Sequence, residues 1–514
     1  MTDAGLREPA DSVAKTARLR RWKGGAIVGL VALSLCYLGF IAVHCSPYAG
    51  PSDASGYLNT ARLIAEGNLV VSMPRIDGLP PENWDYFQQQ PLGFRVDSKT
   101  GTMVPTYPIG YSLHLWLAGV VVGLDWATVP TNLVLVIAAA VLMLAIGRRF
   151  GLPWAWAIAG VAVLWACPLF LSYSLQPMSD MPATVWVLAS IWCALRAREN
   201  WRWGVLVGVC VTMSVWVRPS NLVVLLPIAV VLSLRWRAWL AMLAAGFPGG
   251  VFQAWYNHTL YGSVTETGYG AVGHLFRATH VAHNSWHFVW WTCLLLCPLV
   301  PLAALGLPWV RKEQPLLWRL VLVWTAVFTC FYLPYFHAGE TWWYLRFILP
   351  VFPAVILAAM VVLRRVVDRI GRPSVRLGVG ACLLVVVLGW EIEMVRHFRL
   401  DLTRRGELTY VNTAEWMKSH APDNAIVMQM QVSGAFTYYT DFTIVRWDLV
   451  SENNWARLQE AAKAAGRPIY ATLFGFEEDR ALRKAIPGNW KFLTKIDQVT
   501  IWRLEEDASP ASGS

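Results

Sequence analysis

The sequence has few charged residues for its length. Asp, Glu, Lys and Arg make up 15% of the 514 residues, whereas a soluble globular protein carries about 25%. Hydrophobic residues make up 56% of the chain. This composition excludes a soluble globular protein and predicts a chain that lies mainly in a lipid bilayer.

Cysteine is also scarce outside the apolar segments. The nine cysteines lie in or beside apolar runs, and none follows Cys382. A disulfide framework or a zinc knuckle would need regularly spaced cysteines in polar segments, so neither is predicted. We expect buried, unreactive thiols.

The charges that are present divide the chain near residue 400. Residues 1–400 are poor in charge and have an excess of Lys and Arg, whereas residues 401–514 are richer in charge and slightly acidic. The basic excess therefore belongs to the membrane part, where it indicates orientation by the positive-inside rule and not a nucleic-acid partner.

Eleven apolar segments are predicted to span the membrane. The polar segment 1–23 and an uncleaved first span place the N-terminus in the cytoplasm. The membrane domain then covers residues 24–394. The predicted spans are 24–43, 129–147, 153–172, 181–197, 203–217, 221–234, 238–256, 287–307, 316–335, 347–363 and 377–394.

Arginine clusters support this count, because those at 148–149, 196–202, 235–237, 311–312 and 364–376 fall at alternate connections on the cytoplasmic side. Counting 109–123 as a further span would place all five clusters on the wrong side, so we expect this segment to lie on or dip into the outer face. The polar remainder then lies outside: the first loop 45–108, the short outer turns and the tail 395–514. The tail alternates helical and strand patterns and predicts a small extracytoplasmic α/β domain with a short disordered C-terminus.

Two acidic residues stand where spans meet the outer surface. Asp53 follows the first span, and Asp180 precedes the fourth. Each residue could serve as a helix N-cap, because Asp is a good cap. Each could equally be a partly desolvated carboxylate with a catalytic role, and the occurrence of two at the same surface favours that interpretation.

The outer surface also carries basic and aromatic residues. Arg218 and Arg346 oppose the inside bias, which indicates an anionic partner such as a lipid phosphate, although snorkelling to ordinary headgroups is the alternative. The turn 337–346 contains His337, Glu340 and Tyr344 among several aromatics. Such a turn suits a polyprenyl chain or a sugar face, and equally an interfacial belt.

Two further patterns are weak. Gly268-Tyr-Gly270-Ala-Val-Gly273 matches a dinucleotide-binding fingerprint, but it follows a membrane span and not a βαβ strand, so we reject it. His280, His283 and His287 share a helical face and could hold a metal. Without a carboxylate at ligand spacing, they are better interpreted as interfacial histidines.

The order of these features resembles the GT-C superfamily of membrane glycosyltransferases, in particular the protein O-mannosyltransferase and aminoarabinose lipid A transferase branch. The motifs are Asp53…Tyr57…Ala61…Gly67, then Pro105-Thr-Tyr107-Pro-Ile-Gly110, the acidic turn at Asp180, Tyr256-Asn257…Tyr261-Gly262, the aromatic turn before Arg346, and a C-terminal α/β domain with Trp416…Ala421-Pro422.

The resemblance implies transfer of a sugar from a polyprenyl-phosphate donor to a lipid, glycan or protein acceptor, with inversion at the anomeric carbon. A retaining double displacement, with Asp180 as the nucleophile, is the alternative. Asp53 would be the general base, with Asp180 in support. Arg218 and Arg346 would hold the donor phosphate, and Tyr344, His337, Glu340, Tyr57 and Tyr107 would help to bind substrate.

The resemblance implies no cofactor. Some relatives have a second acidic residue directly after the first, but Ala54 follows Asp53 here, so a divalent metal is only weakly supported. The oligosaccharyltransferase signature is missing from the tail, which disfavours transfer of a whole oligosaccharide. A transporter, a ligase-like polyprenyl-lipid enzyme and an envelope scaffold are the alternatives. The sequence identifies neither the sugar nor the acceptor.

Overall fold

The computed structural model describes residues 10–79 and 84–505, with side chains from Ile27 onward. Residues 1–9 of the predicted cytoplasmic segment and residues 506–514 of the predicted disordered C-terminus lie outside the described residues. For residues 10–23 the description covers the backbone alone. The described chain is mainly helical, with a long membrane part and a smaller mixed domain built from the first loop and the tail.

The helices are α1 (Ala10–His44), α2 (Ser52–Glu66), α3 (Ile109–Val122), α4 (Thr128–Arg149), α5 (Trp154–Ala166), α6 (Pro168–Ser174), α7 (Asp180–Ala197), α8 (Trp203–Val217), α9 (Leu225–Leu232), α10 (Trp236–Tyr261), α11 (Val281–Leu295), α12 (Leu299–Ala304), α13 (Pro315–Tyr332), α14 (Phe352–Asp368), α15 (Pro373–His397), α16 (Thr403–His420), α17 (Ser433–Tyr439), α18 (Glu452–Ala464) and α19 (Glu478–Arg480). The strands are β1 (Val71–Ser72), β2 (Phe94–Val96), β3 (Thr102–Pro105), β4 (Ile426–Met428), β5 (Thr443–Val445), β6 (Ile469–Phe474), β7 (Trp490–Ile496) and β8 (Val499–Leu504). A 3-10 turn at Trp342–Val351 leads directly into α14.

Every predicted span coincides with a helix or a pair of helices. Within the described residues, five helices are long and apolar enough to cross a membrane, and two bent pairs raise the number to seven. The bends are 66° between α5 and α6 and 107° between the α11 and α12 segments. The other predicted spans fall on α7, α8, α9 and α10, which are shorter or less apolar.

Helix α3 corresponds to the segment 109–123 that was left out of the span count. Its 14 residues rise about 21 Å, which is less than the roughly 30 Å of hydrocarbon. Both ends of α3 lie on the side of the tail domain. The helix begins four residues after β3, whose Met103 shares a buried cluster with the tail. Asp125, beyond the end of the helix, accepts a hydrogen bond from Tyr438 of the tail at 3.1 Å. The helix therefore does not cross the bundle.

The arginine clusters meet at the other end of the bundle. Arg149 pairs with Glu199 at 2.5 Å, Arg198 donates to the Val231 carbonyl, and Arg364 donates to the Gly151 carbonyl. These contacts join connections that are distant in sequence, as alternating crossings require. The end opposite these clusters is called the outer end below.

The tail forms the α/β domain that its pattern predicts. Its sheet has the order β5-β4-β6-β8-β7, in which β4 runs parallel to both neighbours and β8 antiparallel to β6 and β7. The sequence pattern predicts helices at 409–420, 453–465 and 477–486 and strands at 424–430, 467–474, 490–495 and 498–504. The observed elements lie within a few residues of these ranges, except that α16 begins earlier, at Thr403. The short elements α17 and β5 were not predicted.

The first loop and the tail share a hydrophobic core. Trp84, Phe94 and Met103 of the loop belong to the same buried cluster as Ile426 and Trp455 of the tail. The loop adds a small sheet of order β1-β3-β2, and the Arg446 N–H donates to the Gln88 carbonyl at 2.7 Å. The first loop thus links the tail to the membrane part, in which α2 and α3 are packed.

Candidate active site

Asp53 lies in the first turn of α2, two residues after Pro51, but its side chain does not cap the helix. The helix has no side-chain cap at its N-terminus. The carboxylate accepts a hydrogen bond from Arg346 Nη1 at 2.6 Å instead. Of the two alternatives, the structure therefore disfavours the helix cap.

Asp180 begins α7 and is likewise used for an ion pair. Ser179 precedes it without a capping hydrogen bond, and Oδ1 of Asp180 accepts from Arg218 Nη2 at 2.6 Å. Arg218 also donates to the Arg346 carbonyl at 3.3 Å. Four residues from four separate outer segments are thus joined in one cluster.

The two ion pairs share charge across the cluster. Arg346 Nη1 lies 2.6 Å from Asp53 Oδ2 and 4.0 Å from Asp180 Oδ2, so one guanidinium stands between both carboxylates. Two Asp and two Arg residues make the cluster electrically balanced. Balance of this kind is what allows four charges to be largely buried at the end of a membrane bundle.

The two carboxylates differ in accessibility. The side chain of Asp53 is 23% exposed, whereas that of Asp180 is 1% exposed. A substrate at the outer surface can reach Asp53, while Asp180 lies behind the arginines. The two predicted catalytic residues therefore occupy different positions with respect to a bound molecule.

Asp53 is ionised at neutral pH. Burial by itself raises the pKa of its carboxyl group, but the charge of Arg346 and hydrogen bonds from Tyr107 and Arg346 outweigh burial, so that the pKa lies below its usual range. The side chain is therefore a carboxylate, able to accept a proton or to compete for Arg346.

Three tyrosines lie close together beside Asp53. The Tyr107 ring lies 5.0 Å from that of Tyr57 and 5.9 Å from that of Tyr269, and the Tyr107 hydroxyl is 2.7 Å from Ser52 Oγ. Burial and the nearby charge of Asp53 raise the pKa of Tyr107 well above its usual value, so the phenol is a hydrogen-bond donor.

The remaining predicted residues, Tyr344, His337 and Glu340, lie in the turn that carries Arg346. The Tyr344 ring lies 5.6 Å from the Arg346 guanidinium and 6.0 Å from the His337 ring. His337 Nδ1 and Glu340 Oε1 are 2.9 Å apart in a pair that is about one-third exposed. In the described contacts, neither His337 nor Glu340 touches the charge cluster directly, so they lie at the edge of the site.

The histidines of α11 support this turn. His283 Nε2 lies 3.0 Å from the Gly339 carbonyl, and His287 Nε2 lies 3.1 Å from the Thr341 carbonyl. In the described parts of the chain, no group of three or more His, Cys, Asp or Glu side chains is arranged to hold a metal ion. The histidines fix the backbone before Arg346.

Sequence reasoning missed several residues at the site. Tyr173 donates to the Trp343 carbonyl at 2.6 Å, Ser179 lies 3.4 Å from Arg218, and Phe347 packs under both arginines at 5.7 and 5.3 Å. Tyr269 belongs to the rejected glycine motif. Its neighbour Gly268 has no Cβ, which allows the loop to lie directly against the backbone of Thr106. No spacing in the sequence points to these contacts.

An apolar groove lies in the bundle, with one wall formed by the residues that follow Arg346. Its volume is about 540 Å³, and it is lined by α11, α12, α13 and α14, including Phe288, Leu305, Val321 and Phe352. Ile348, two residues after Arg346, lies on its wall. The groove lies within the apolar part of the bundle, so its occupant should be an apolar chain.

Comparison with known proteins gives structural matches alone, since no protein-family model and no curated protein matches the sequence. ArnT from Cupriavidus metallidurans, solved bound to undecaprenyl phosphate, is 13% identical with a TM-score of 0.57 over 93% of this chain and 98% of that chain. The oligosaccharyltransferase AglB from Archaeoglobus fulgidus, in complex with an inhibitory peptide and a dolichol-phosphate, is 10% identical with a TM-score of 0.54, covering 95% and 75%. Arabinofuranosyltransferase AftD from Mycobacteria is 13% identical with a TM-score of 0.52, covering 95% and 40%.

The protein has the GT-C fold. The match with ArnT extends over nearly the full length of both chains, so it includes the membrane part, the first loop and the tail. This confirms the predicted fold class of a polytopic helical membrane protein with a C-terminal α/β domain. At these identities the likeness concerns the fold, and the finer branch stays a prediction.

Proposed function

We propose that this GT-C protein is a glycosyltransferase that moves a sugar from a polyprenyl-phosphate donor to an acceptor. The observation that carries the proposal is that two largely buried arginines pair with carboxylates, one of them accessible, while Ile348, two residues after Arg346, lies on the wall of an apolar groove. A ligand that matches it has a phosphate, a long apolar chain and a reacting group at the phosphate. A polyprenyl-phosphate sugar has all three.

Arg218 and Arg346 would bind the donor phosphate. Guanidinium groups form strong, geometrically specific hydrogen bonds with phosphate, and Nε of Arg346 is buried without an acceptor among the described residues. As the bond between sugar and phosphate breaks, negative charge develops on the phosphate oxygens. The two arginines would stabilise that charge, which is the main electrostatic contribution to the rate.

Asp53 would act as the general base. It is the accessible carboxylate of the pair, and it is ionised at neutral pH. When the phosphate attracts Arg346, the carboxylate loses its strongest partner, and its pKa rises towards the ordinary value. Donor binding would thus make Asp53 a better base for the acceptor's proton.

Asp180 would position the arginines and would not react. Its side chain is 1% exposed and lies behind Arg218 and Arg346. A retaining mechanism needs a second carboxylate that reaches the anomeric carbon, and Asp180 is too deep for that. We therefore propose inversion, with direct attack by the acceptor.

The tyrosines and the aromatic turn would bind the sugar. Tyr57, Tyr107 and Tyr269 present rings and a phenol beside Asp53, and Tyr344 presents a ring beside Arg346. Aromatic faces pack against the C–H faces of sugars, while phenols donate to hydroxyl groups. His337 and Glu340, at the edge, would contact the acceptor.

The protein would lie in the cell membrane as a multi-pass protein, with the N-terminus in the cytoplasm and the site and tail domain outside. The arginine clusters at the end opposite the site support this orientation by the positive-inside rule. A transporter would be expected to hold its charges near the middle of the bilayer, whereas these charges lie at the outer ends of α7, α8 and the turn before α14.

The test is sugar transfer in reconstituted vesicles from radiolabelled polyprenyl-phosphate hexoses and pentoses. The donor is chosen by comparing envelope glycolipids, glycans and glycoproteins with and without the protein. We expect Asp53→Asn to lower the rate of transfer by about 10²–10⁴-fold while the variant still binds undecaprenyl phosphate, since the arginines remain.

Asp77→Asn is the matched control, because Asp77 is an exposed residue of the same loop outside the site. It should transfer sugar at the wild-type rate. Full activity of Asp53→Asn would remove Asp53 from the mechanism. An unchanged envelope with altered solute uptake would favour the transporter instead.

A further inference from the structure

The tail domain contacts the short segment that leads into the Asp53 helix. Residues 45–51 join α1 to α2, and α16 and α17 of the tail lie against them. The Ala49 N–H donates to the Tyr439 hydroxyl at 2.8 Å, and Arg404 donates to the Val43 carbonyl at 2.9 Å. The start of α2 is therefore held by the tail as well as by its own turn.

Glu407 of α16 is the carboxyl group of this contact. It is buried, and its Oε2 accepts a short hydrogen bond from Ser46 Oγ. Gly50 packs directly on the carboxyl group, and a Cβ at that position would lie 3.3 Å from Oε2. Gly50 is three residues from Asp53, so a shift at Glu407 is transmitted over a very short path.

Other titratable groups surround Glu407 on every side of the contact. Cys45 comes from the end of α1, Tyr48 and Arg404 stack on one another at 5.9 Å, and Tyr410 and Tyr439 approach from α16 and α17. Arg404 is occupied by the Val43 carbonyl and the Tyr48 and Trp126 rings. Burial raises the pKa of Glu407 to about 7, and the Ser46 hydrogen bond opposes that rise only partly.

We propose that Glu407 is a positioning residue for sugar transfer: its buried carboxyl group, bonded to Ser46 and packed on Gly50, holds residues 46–51 in place and, through them, the first turn of the helix that carries Asp53. This inference rests on the proposed function. It makes the tail domain part of the catalytic apparatus, although no tail residue touches the charge cluster in the described contacts.

The sign of the pH dependence follows from the raised pKa. A carboxyl group released into water has an ordinary pKa, so the contact takes up a proton when it forms. The contact is therefore strongest below that ordinary pKa and weakens as the pH rises towards about 7, where the docked group itself ionises. The pKa of Asp53 is shifted in the opposite direction, below its usual range.

The experiment compares three forms of the full-length protein in vesicles: wild type, Glu407→Gln and Glu407→Ala. The amide keeps the hydrogen bond to Ser46 and stays neutral at every pH. We expect kcat/KM of Glu407→Gln to match wild type at pH 6 and to exceed it by about threefold or more at pH 8.5. Glu407→Ala should lose about tenfold at both pH values.

A second readout does not depend on catalysis. Cys45 is buried beside Ser46, so maleimide alkylation of Cys45, quantified by peptide mass spectrometry, reports opening of the segment. At pH 8.5 we expect slower alkylation in Glu407→Gln and faster alkylation in Glu407→Ala than in wild type. Glu415→Gln, an exposed position on the same helix, should change neither readout.

The two readouts separate the possible failures. Identical pH profiles and alkylation rates in wild type and Glu407→Gln would overturn the inference. Altered alkylation with unchanged pH profiles would also overturn it, because Glu407 would then be a structural contact without effect on Asp53. If wild type transfers no sugar from any donor, the proposed function fails, and alkylation alone decides whether Glu407 controls the segment.

Discussion

The electrical balance of the cluster predicts the effect of Asp180→Asn. The substitution keeps the shape of the side chain but leaves two largely buried guanidinium groups with one carboxylate, Asp53. Two unit charges about 4 Å apart attract by about 4 kcal/mol at an effective dielectric constant of about 20. Removal of one partner of a buried ion pair typically costs about 3–5 kcal/mol. We therefore expect the free energy of unfolding to fall by about 3–5 kcal/mol.

The assay is a double-mutant cycle of Asp180→Asn, Arg218→Gln and the double variant, with unfolding followed in mixed detergent micelles. The double variant restores balance, so its loss should be smaller than the sum of the two single losses by about 1.5 kcal/mol or more. Binding of undecaprenyl phosphate gives a second reading. Asp180→Asn frees Arg218, so this variant should bind undecaprenyl phosphate more tightly than wild type. The double variant should bind undecaprenyl phosphate more weakly than wild type.

Additive losses in the cycle would contradict the reasoning, since they would mean that Asp180 and Arg218 do not stabilise one another. Weaker phosphate binding by Asp180→Asn, in a variant that is folded, would show that Asp180 does not compete with the ligand for Arg218. Asp77→Asn again serves as the control for a carboxylate lost from an exposed site.

Two further predictions concern the surroundings of Asp53. Tyr107→Phe removes a hydrogen bond that lowers the pKa of Asp53, so the pKa of Asp53 should rise. The acidic limb of the pH–rate profile should then move to higher pH. An unmoved limb would exclude Asp53 as the titrating group. Gly434→Ala places a Cβ against Ser55 and 2.6 Å from the Leu92 carbonyl, so it should separate α17 from α2 and lower transfer by about tenfold or more. Gly406→Ala, with open space around its Cβ, is its control and should transfer at the wild-type rate; equal rates in both variants would show that the α17 contact does not position Asp53.

Four of the candidate site residues were predicted from the scarcity of charge. Asp53, Asp180, Arg218 and Arg346 stood out because charged residues at the outer ends of apolar spans are costly and need a partner, and the structure joins these four in one cluster. Their roles in transfer remain predictions. Tyr173, Tyr269 and Phe347 were missed because aromatic residues are common at membrane interfaces, so nothing in the sequence distinguishes a site tyrosine from a belt tyrosine.

The sequence by itself determined the membrane class, the positions of the helices, the α/β pattern of the tail and the end of the bundle at which the scarce charges gather. These properties follow from local composition and period, which each segment carries independently. The pairing of Asp53 with Arg346 and of Asp180 with Arg218, the burial of Asp180, and the packing of the first loop and Glu407 against the tail were decided only by the tertiary structure. Such contacts join residues up to several hundred positions apart, so they depend on how the segments pack together and leave no pattern in any one of them.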